Sequence, residues 1–141
     1  MQEELAQFRK LKVWELVDLP IGEFAIGTKW VFKCKKDDKG IVVRNKARLV
    51  VKGFNQQEGI DYNEVFAPVA RLEAIRLFLA FASFKDFKVY QLDVKSAFLY
   101  GKVQELVYVE QPPGFTDPYH PDRVYKLDKA PYGLHQAPRA W

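Results

Sequence analysis

Soft metal ligands are nearly absent from this sequence: one cysteine, Cys34, and two histidines, His120 and His135, serve all 141 residues. A lone cysteine closes no disulfide within the chain, which suits a reducing compartment. Three Cys/His side chains fall short of a four-ligand structural zinc site. Long apolar runs are missing as well. The most apolar stretch, Leu77 to Phe84, is far shorter than the ~20 residues that span a bilayer as a helix. The opening residues, Met1-Gln2-Glu3-Glu4-Leu5, are acidic and lack an apolar core, unlike a secretory signal. There is no internal repeat, no low-complexity tract and no phosphate-cradling glycine-rich loop of the Walker kind. From these absences we expect an intracellular chain, in cytoplasm or nucleus rather than secreted, with no membrane partner.

What is present builds a core. Hydrophobic residues make up 48% of the chain and aromatics 15%, which argues against disorder and fits a single domain at this length. The net charge of +4 says little about partners, since many basic proteins bind no nucleic acid. Its distribution says more. Between Lys29 and Lys52 stand nine Lys/Arg and only two acids, Asp37 and Asp38, leaving the remainder net negative.

Periodicity organises the chain. Met1 to Leu11 reads as a short amphipathic helix, with Leu5, Phe8 and Leu11 on one side. Val13 to Leu19 alternates like a strand and ends at Pro20. Thr28–Lys36 and Ile41–Lys52 predict a hairpin about the Asp37-Asp38-Lys39-Gly40 turn. Alternation puts Trp30, Phe32, Cys34, Asn45, Ala47, Leu49 and Val51 on an apolar face, with Cys34 read as core. Lys29, Lys33, Lys35, Arg44, Lys46, Arg48 and Lys52 make the cationic face. Gly53 to Arg71 reads as loop, punctuated by Gly59 and Pro68. Arg71 to Lys85 predicts a helix apolar over most of its girth and therefore largely buried. Phe87 to Leu92, Leu106 to Glu110 and Arg123 to Leu127 predict further strands, and Gln136 to Trp141 the start of a helix.

Several residues are candidates for chemistry. Asp93 follows a predicted apolar strand, where a carboxylate suits metal binding; position alone leaves open a turn former or a cap, shared with Ser96. The cationic hairpin face suits a nucleic-acid backbone or a triphosphate, or else a solvated edge guarded by lysines. Arg44 and Arg48 favour the first, because a guanidinium fork matches phosphate oxygens. Asp61 and Glu64 stand open between a weak metal site and plain solvation. His120 reads as solvated, and His135 has no neighbouring acid or nucleophile in its motif.

Taken in order, the motifs resemble copia-type retroelement reverse transcriptases. Val13-Trp14-Glu15-Leu16-Val17 with Leu19-Pro20 is similar to that family's opening. Lys29-Trp30-Val31-Phe32-Lys33, Lys46-Ala47-Arg48-Leu49-Val50 and Lys52-Gly53-Phe54 are similar to its fingers hairpin. Gly59-Ile60-Asp61-Tyr62 and Phe66-Ala67-Pro68-Val69 follow. Gln91-Leu92-Asp93-Val94-Lys95-Ser96-Ala97-Phe98-Leu99 resembles the palm motif with the first polymerase aspartate. Gln111-Pro112-Pro113-Gly114-Phe115 and Tyr132-Gly133-Leu134-His135-Gln136-Ala137-Pro138-Arg139-Ala140-Trp141 complete the series.

The resemblance implies an α+β fold, the fingers and an incomplete palm of a right-hand polymerase, with an antiparallel sheet packed on helices. Residues 1–86 would be mainly fingers with the N-terminal strands, and residues 87–141 the start of the palm with a returning fingers segment. It implies RNA-directed DNA synthesis, transferring nucleotides from a dNTP to a primer 3′-hydroxyl on an RNA template. By the same likeness Asp93 and the Val94 carbonyl would ligate Mg2+ or Mn2+, and Phe98 would be the steric gate against a 2′-hydroxyl. Lys46 and Arg48 would contact the triphosphate, Tyr132 and Gly133 would line the nucleotide pocket, and Lys33, Lys35 and Arg44 would meet nucleic acid. The family's Tyr-Xaa-Asp-Asp motif does not occur here, and the only Asp-Asp is Asp37-Asp38 in the hairpin turn. We therefore expect a polyprotein fragment, inactive by itself, partnered by downstream palm, thumb and RNase H segments. The alternative is a non-catalytic nucleic-acid-binding relic that uses the hairpin. Two positions depart from the family pattern: Pro131 in place of Leu, and Val51 in place of Ala.

Overall fold

The computed structural model describes residues 1–67 and 70–141. Pro68 and Val69, the second half of the Phe66-Ala67-Pro68-Val69 motif, lie outside the described residues. The elements are α1 (Gln2–Lys10), β1 (Trp14–Val17), β2 (Ala25–Ile26), β3 (Thr28–Lys36), β4 (Val42–Val51), α2 (Leu72–Phe84), β5 (Tyr108–Val109), β6 (Val124–Leu127) and α3 (Ala137–Ala140). The fold is mixed α+β.

Helix α1 follows from its charges and its one apolar stripe. Glu3 and Glu4 occupy the first turn, Arg9 and Lys10 the last, an order that complements the helix dipole. Its Phe8 is fully buried with Val13, Leu49 and Leu99, and Leu5, Leu11, Trp14 and Trp30 close over them. Burying a side chain of this size contributes roughly 1.5–3 kcal/mol.

A larger apolar cluster joins Ile26, Val51, Val107, Val109, Leu127, Ala130, Leu134 and Ala137. It lies on a four-stranded sheet of order β1-β6-β5-β2. Strand β6 pairs antiparallel with β1 and with β5. Strand β2 pairs with β5 in parallel, so the sheet is not antiparallel throughout as expected. The expected strand at Leu106–Glu110 is only the two residues of β5. Both family departures sit in the interior: Val51 is 2% exposed and Pro131 is fully buried.

Strands β3 and β4 form their own two-stranded sheet, in the register the alternation predicts: Trp30 opposite Leu49, Lys33 opposite Lys46, Lys35 opposite Arg44. Its turn is held by Asp37, whose Oδ1 accepts the N–H groups of Lys39 and Ile41, each at 2.9 Å. Gly40 takes φ +80° there, a conformation costly for other residues.

Three further expectations fail. Helix α2 forms where predicted, but of its residues only Ala82 is buried, and Leu77 and Phe84 are 73% and 81% exposed. Among the described residues neither apolar cluster includes a residue of α2, and the Phe81 ring meets Phe87 just past the end of the helix. No strand forms over Phe87 to Leu92, which runs as irregular chain with Tyr90 and Leu92 exposed. Alternating apolar residues become a strand only when a neighbour takes up their backbone hydrogen bonds. Cys34, read as core, is exposed. It lies on the apolar face as expected, but toward the hairpin tip, where Phe32 is exposed too and no element among the described residues covers that face.

Candidate functional site

The cationic hairpin face is the first component. Cross-strand pairing sets Lys33 against Lys46 and Lys35 against Arg44, and like charges directly opposite one another are destabilising. The Lys46 amine records this. Its pKa is lowered from the ordinary lysine value, by Lys35 foremost, then by desolvation, Arg44, Arg48 and Lys95. Among the described residues one ion pair forms on this face: Glu3 stands 3.9 Å from Arg44, with both side chains well exposed. Such a pair is worth little in water.

The second component is the loop before α3. The Tyr132 carbonyl accepts the Val51 N–H at 2.8 Å, which ties the loop to the base of β4. Gly133 follows at φ +98°, and a Cβ there would lie 2.1 Å from the Val51 carbonyl oxygen. Across the same crossing, a Cβ on Gly53 would lie 2.0 Å from the Gly133 carbonyl oxygen. Two glycines thus let the backbones touch. Tyr132 is thereby brought to the hairpin, with the Arg48 guanidinium 5.1 Å from the centre of its ring.

The third component is the segment after Asp93. Ser96 takes φ +58° and starts a 3-10 turn over Ala97–Tyr100 without a side-chain cap, so of the readings left open for this stretch the Ser96 cap is not made. That turn buries Leu99 and presents Phe98, whose ring lies 5.1 Å from the Tyr132 ring. Arg48, Tyr132 and Phe98, far apart in the chain, therefore form one continuous surface. Lys46 and Gly133 adjoin it through Arg48 and Tyr132. Lys33, Lys35 and Arg44 lie further along the same hairpin face. Asp93 and Val94 are exposed on the irregular stretch leading in. Lys95, directly after them, is close enough to act on Lys46.

Other candidates have structural employment. Asp61 is buried and its Oδ2 accepts the Gln57 N–H at 2.7 Å, so it is not the solvated residue of the sequence reading. Glu64 is paired with Arg139. The exposed His135 ring packs on Tyr62 at 4.9 Å. Among the described residues no three His, Cys, Asp or Glu side chains gather into a metal centre. A cleft of about 630 Å³ between α1 and Trp14, Phe115 and Tyr125 holds none of the site candidates.

One set of residues escaped the sequence reading. Gln56 and Gln136 are buried. The Gln56 Nε2 donates to the Gln136 Oε1 at 3.0 Å, and the Gln56 Oε1 accepts the His135 N–H at 2.9 Å. The Gln136 Nε2 donates in turn to the Asp61 carbonyl at 2.9 Å. Glutamines in loops carry no periodic signal, and nothing local marks them as paired across 80 residues.

The chain matches known proteins over its whole length. It is 50% identical to the retrovirus-related Pol polyprotein from transposon TNT 1-94 of Nicotiana tabacum, over all 141 residues and 11% of that protein. It is 48% identical to the corresponding polyproteins from transposons RE2 and RE1 of Arabidopsis thaliana, over 91% of this chain and 9% of each of theirs. The chain thus spans about a tenth of the length of these relatives. No solved structure matches it. The model of the family described as reverse transcriptase (RNA-dependent DNA polymerase) covers residues 11–141. With those motifs, that coverage and these relatives, the chain belongs to the reverse transcriptase family.

Proposed function

We propose that this chain supplies the incoming-nucleotide side of a copia-type RNA-directed DNA polymerase. Lys46 and Arg48 hold the triphosphate, Tyr132 and Gly133 line the pocket, and the Phe98 ring lies under the sugar, where a 2′-hydroxyl would collide. Lys33, Lys35 and Arg44 run along a nucleic-acid backbone. The observation that carries this reading is the Arg48–Tyr132–Phe98 surface, which joins three separate sequence motifs. A guanidinium already held over a ring loses less freedom when it grips phosphate oxygens than a free lysine would.

In the longer polyprotein the reaction is nucleotidyl transfer from a dNTP to a primer 3′-hydroxyl on an RNA template. Divalent ions there would supply Lewis acidity at the reacting phosphate. Asp93 and the Val94 carbonyl are this chain's contribution to holding Mg2+ or Mn2+. They do not suffice for a metal pair, since a hard cation takes six or more oxygens and no group of three ligating side chains gathers among the described residues. The downstream palm, thumb and RNase H segments are the proposed source of the rest.

A primer-extension assay on the 141-residue chain, with Asp93→Asn as control, is expected to give no product. Template-dependent synthesis lost in the variant would overturn inactivity. Equilibrium binding of a dNTP tests the pocket: Arg48→Ala is expected to weaken it about tenfold, the scale of one charge-assisted hydrogen bond. An unchanged affinity would remove Arg48 from the site.

The opposed Lys33/Lys46 and Lys35/Arg44 pairs favour a second reading, a nucleic-acid-binding module without chemistry. It predicts binding to RNA or single-stranded DNA that falls steeply with salt and is lost when Arg44, Lys46 and Arg48 all become Ala. Affinity unmoved by that triple change would sink it.

A further inference from the structure

We infer that Gln56 is a positioning residue for the nucleotide pocket, acting through the loop that carries Tyr132 and Gly133. The inference rests on the nucleotide reading of that loop given above.

Pro131 and Leu134 anchor the loop in the apolar interior, and hydrogen bonds set the course of the backbone between and beyond them. Gly133 sits at φ +98°, a region where glycine has freedom to leave as well as to enter. The bond from the Val51 N–H to the Tyr132 carbonyl fixes one end. On the far side of Gly133, the His135 N–H is taken by a side chain, the Gln56 Oε1 at 2.9 Å. Gln56 therefore holds the second end, and Gly133 is clamped between two tethers.

The clamp also has an orientation. With its oxygen on the His135 amide, the Gln56 carboxamide must turn its nitrogen to the Gln136 Oε1, 3.0 Å away. That leaves the Gln136 nitrogen free to donate to the Asp61 carbonyl at 2.9 Å. Each amide fixes the next, and no buried side-chain polar atom among the described residues is left without a partner. Both glutamines are buried, at 9% and 3% exposure, where an unmet amide is costly. The network thus specifies one loop conformation. Asp61 completes the anchor from behind, since its Oδ2 accepts the Gln57 N–H and keeps the Gln56 backbone in place.

What this does for the pocket follows from the ring contacts. Tyr132 meets Arg48 on one side and Phe98 on the other, each at 5.1 Å. A loop that swings about Gly133 moves the ring and spoils both contacts. The β3–β4 register holds the Lys46 and Arg48 backbone without help from Gln56, and only the Arg48 guanidinium shares the Tyr132 contact. Gln56 should therefore govern recognition of the sugar and base more strongly than that of the phosphates.

The test uses Gln56→Met, which keeps the volume and removes both hydrogen bonds. Amide hydrogen exchange on the full 141-residue chain reads the clamp directly. Exchange at His135 should quicken about tenfold, the effect of losing a net hydrogen bond, while the Lys29 to Cys34 amides keep their protection. Unaltered protection at His135 would overturn the clamp. Loss of protection throughout the hairpin would overturn the positioning role in favour of a general structural one.

Binding separates the two levels. In Gln56→Met the affinity for a dNTP should fall about fivefold or more, while inorganic tripolyphosphate stays within about twofold, because one lost bond acts only on the ring contacts. An equal fall for both ligands would overturn the inference. Binding of neither ligand by the unsubstituted chain would overturn the nucleotide reading, and leave the clamp to the exchange result.

Discussion

The Arg48 guanidinium stands 5.1 Å from the centre of the Tyr132 ring, although 83 residues of chain separate them. A partly exposed cation over an aromatic face is worth about 0.5–1 kcal/mol. Arg48→Ala and Tyr132→Leu, made singly and together, should show a coupling of that size in urea unfolding. A coupling of zero would mean that the contact does not form in solution.

Lys46 gives the cationic face a pH dependence. Its pKa is lowered, by Lys35 first, so it loses its charge at lower pH than an ordinary lysine does. Affinity for tripolyphosphate should decline on the alkaline side as pH rises through that lowered pKa, and Lys46→Arg should flatten the decline, since arginine stays charged. Identical pH profiles for the two proteins would contradict this.

Gly133 should tolerate no side chain. Gly133→Ala places a Cβ 2.1 Å from the Val51 carbonyl oxygen at φ +98°. Left-handed strain alone costs about 1–3 kcal/mol, and the close approach adds to it. We expect a lower denaturation midpoint and weaker dNTP binding. Gly40→Ala strains the backbone at φ +80° but meets no atom within 4 Å, so it should cost less. The reverse ranking would place the crossing elsewhere.

Glu4 should destabilise the fold at neutral pH. Its carboxyl pKa is raised above the ordinary 4.5, by burial first and with a partly offsetting backbone bond from Leu49. A raised carboxyl pKa means that the native state binds the proton more tightly than the unfolded one. The cost of the charge is therefore present above the folded pKa and vanishes below the unfolded value. Glu4→Gln should raise the unfolding midpoint at pH 7 and lose that advantage below pH 4.5. A variant less stable at pH 7 would reverse the sign of this reasoning.

Helix α2 and helix α1 should respond oppositely to polar or truncating changes. Phe84, at 81% exposure, should accept Phe84→Glu within about 0.5 kcal/mol, with improved solubility. Phe8→Ala empties a fully buried position and should cost about 3–5 kcal/mol. A large loss from Phe84→Glu would mean that α2 packs against something in solution.

Much of the fold was legible in advance because it follows from local rules. The α1 stripe, the β3–β4 register and the Asp37–Gly40 turn need only side-chain alternation and turn chemistry. Copia-type membership was legible from ordered motifs. The burial of α2 and a strand over Phe87–Leu92 were misread for one reason: pattern shows which face is apolar, and cannot show whether a partner covers it. Cys34 was misread in the same way.

The sequence by itself determined helix α1, the β3–β4 hairpin with its charge on one face, and the family. Those depend on residues a few positions apart. Only the tertiary structure decided that Arg48, Tyr132 and Phe98 share a surface, and that Gln56 clamps the loop between them. Those depend on two backbones crossing at Gly53 and Gly133, a contact made possible by two missing side chains and fixed by amides 80 residues apart.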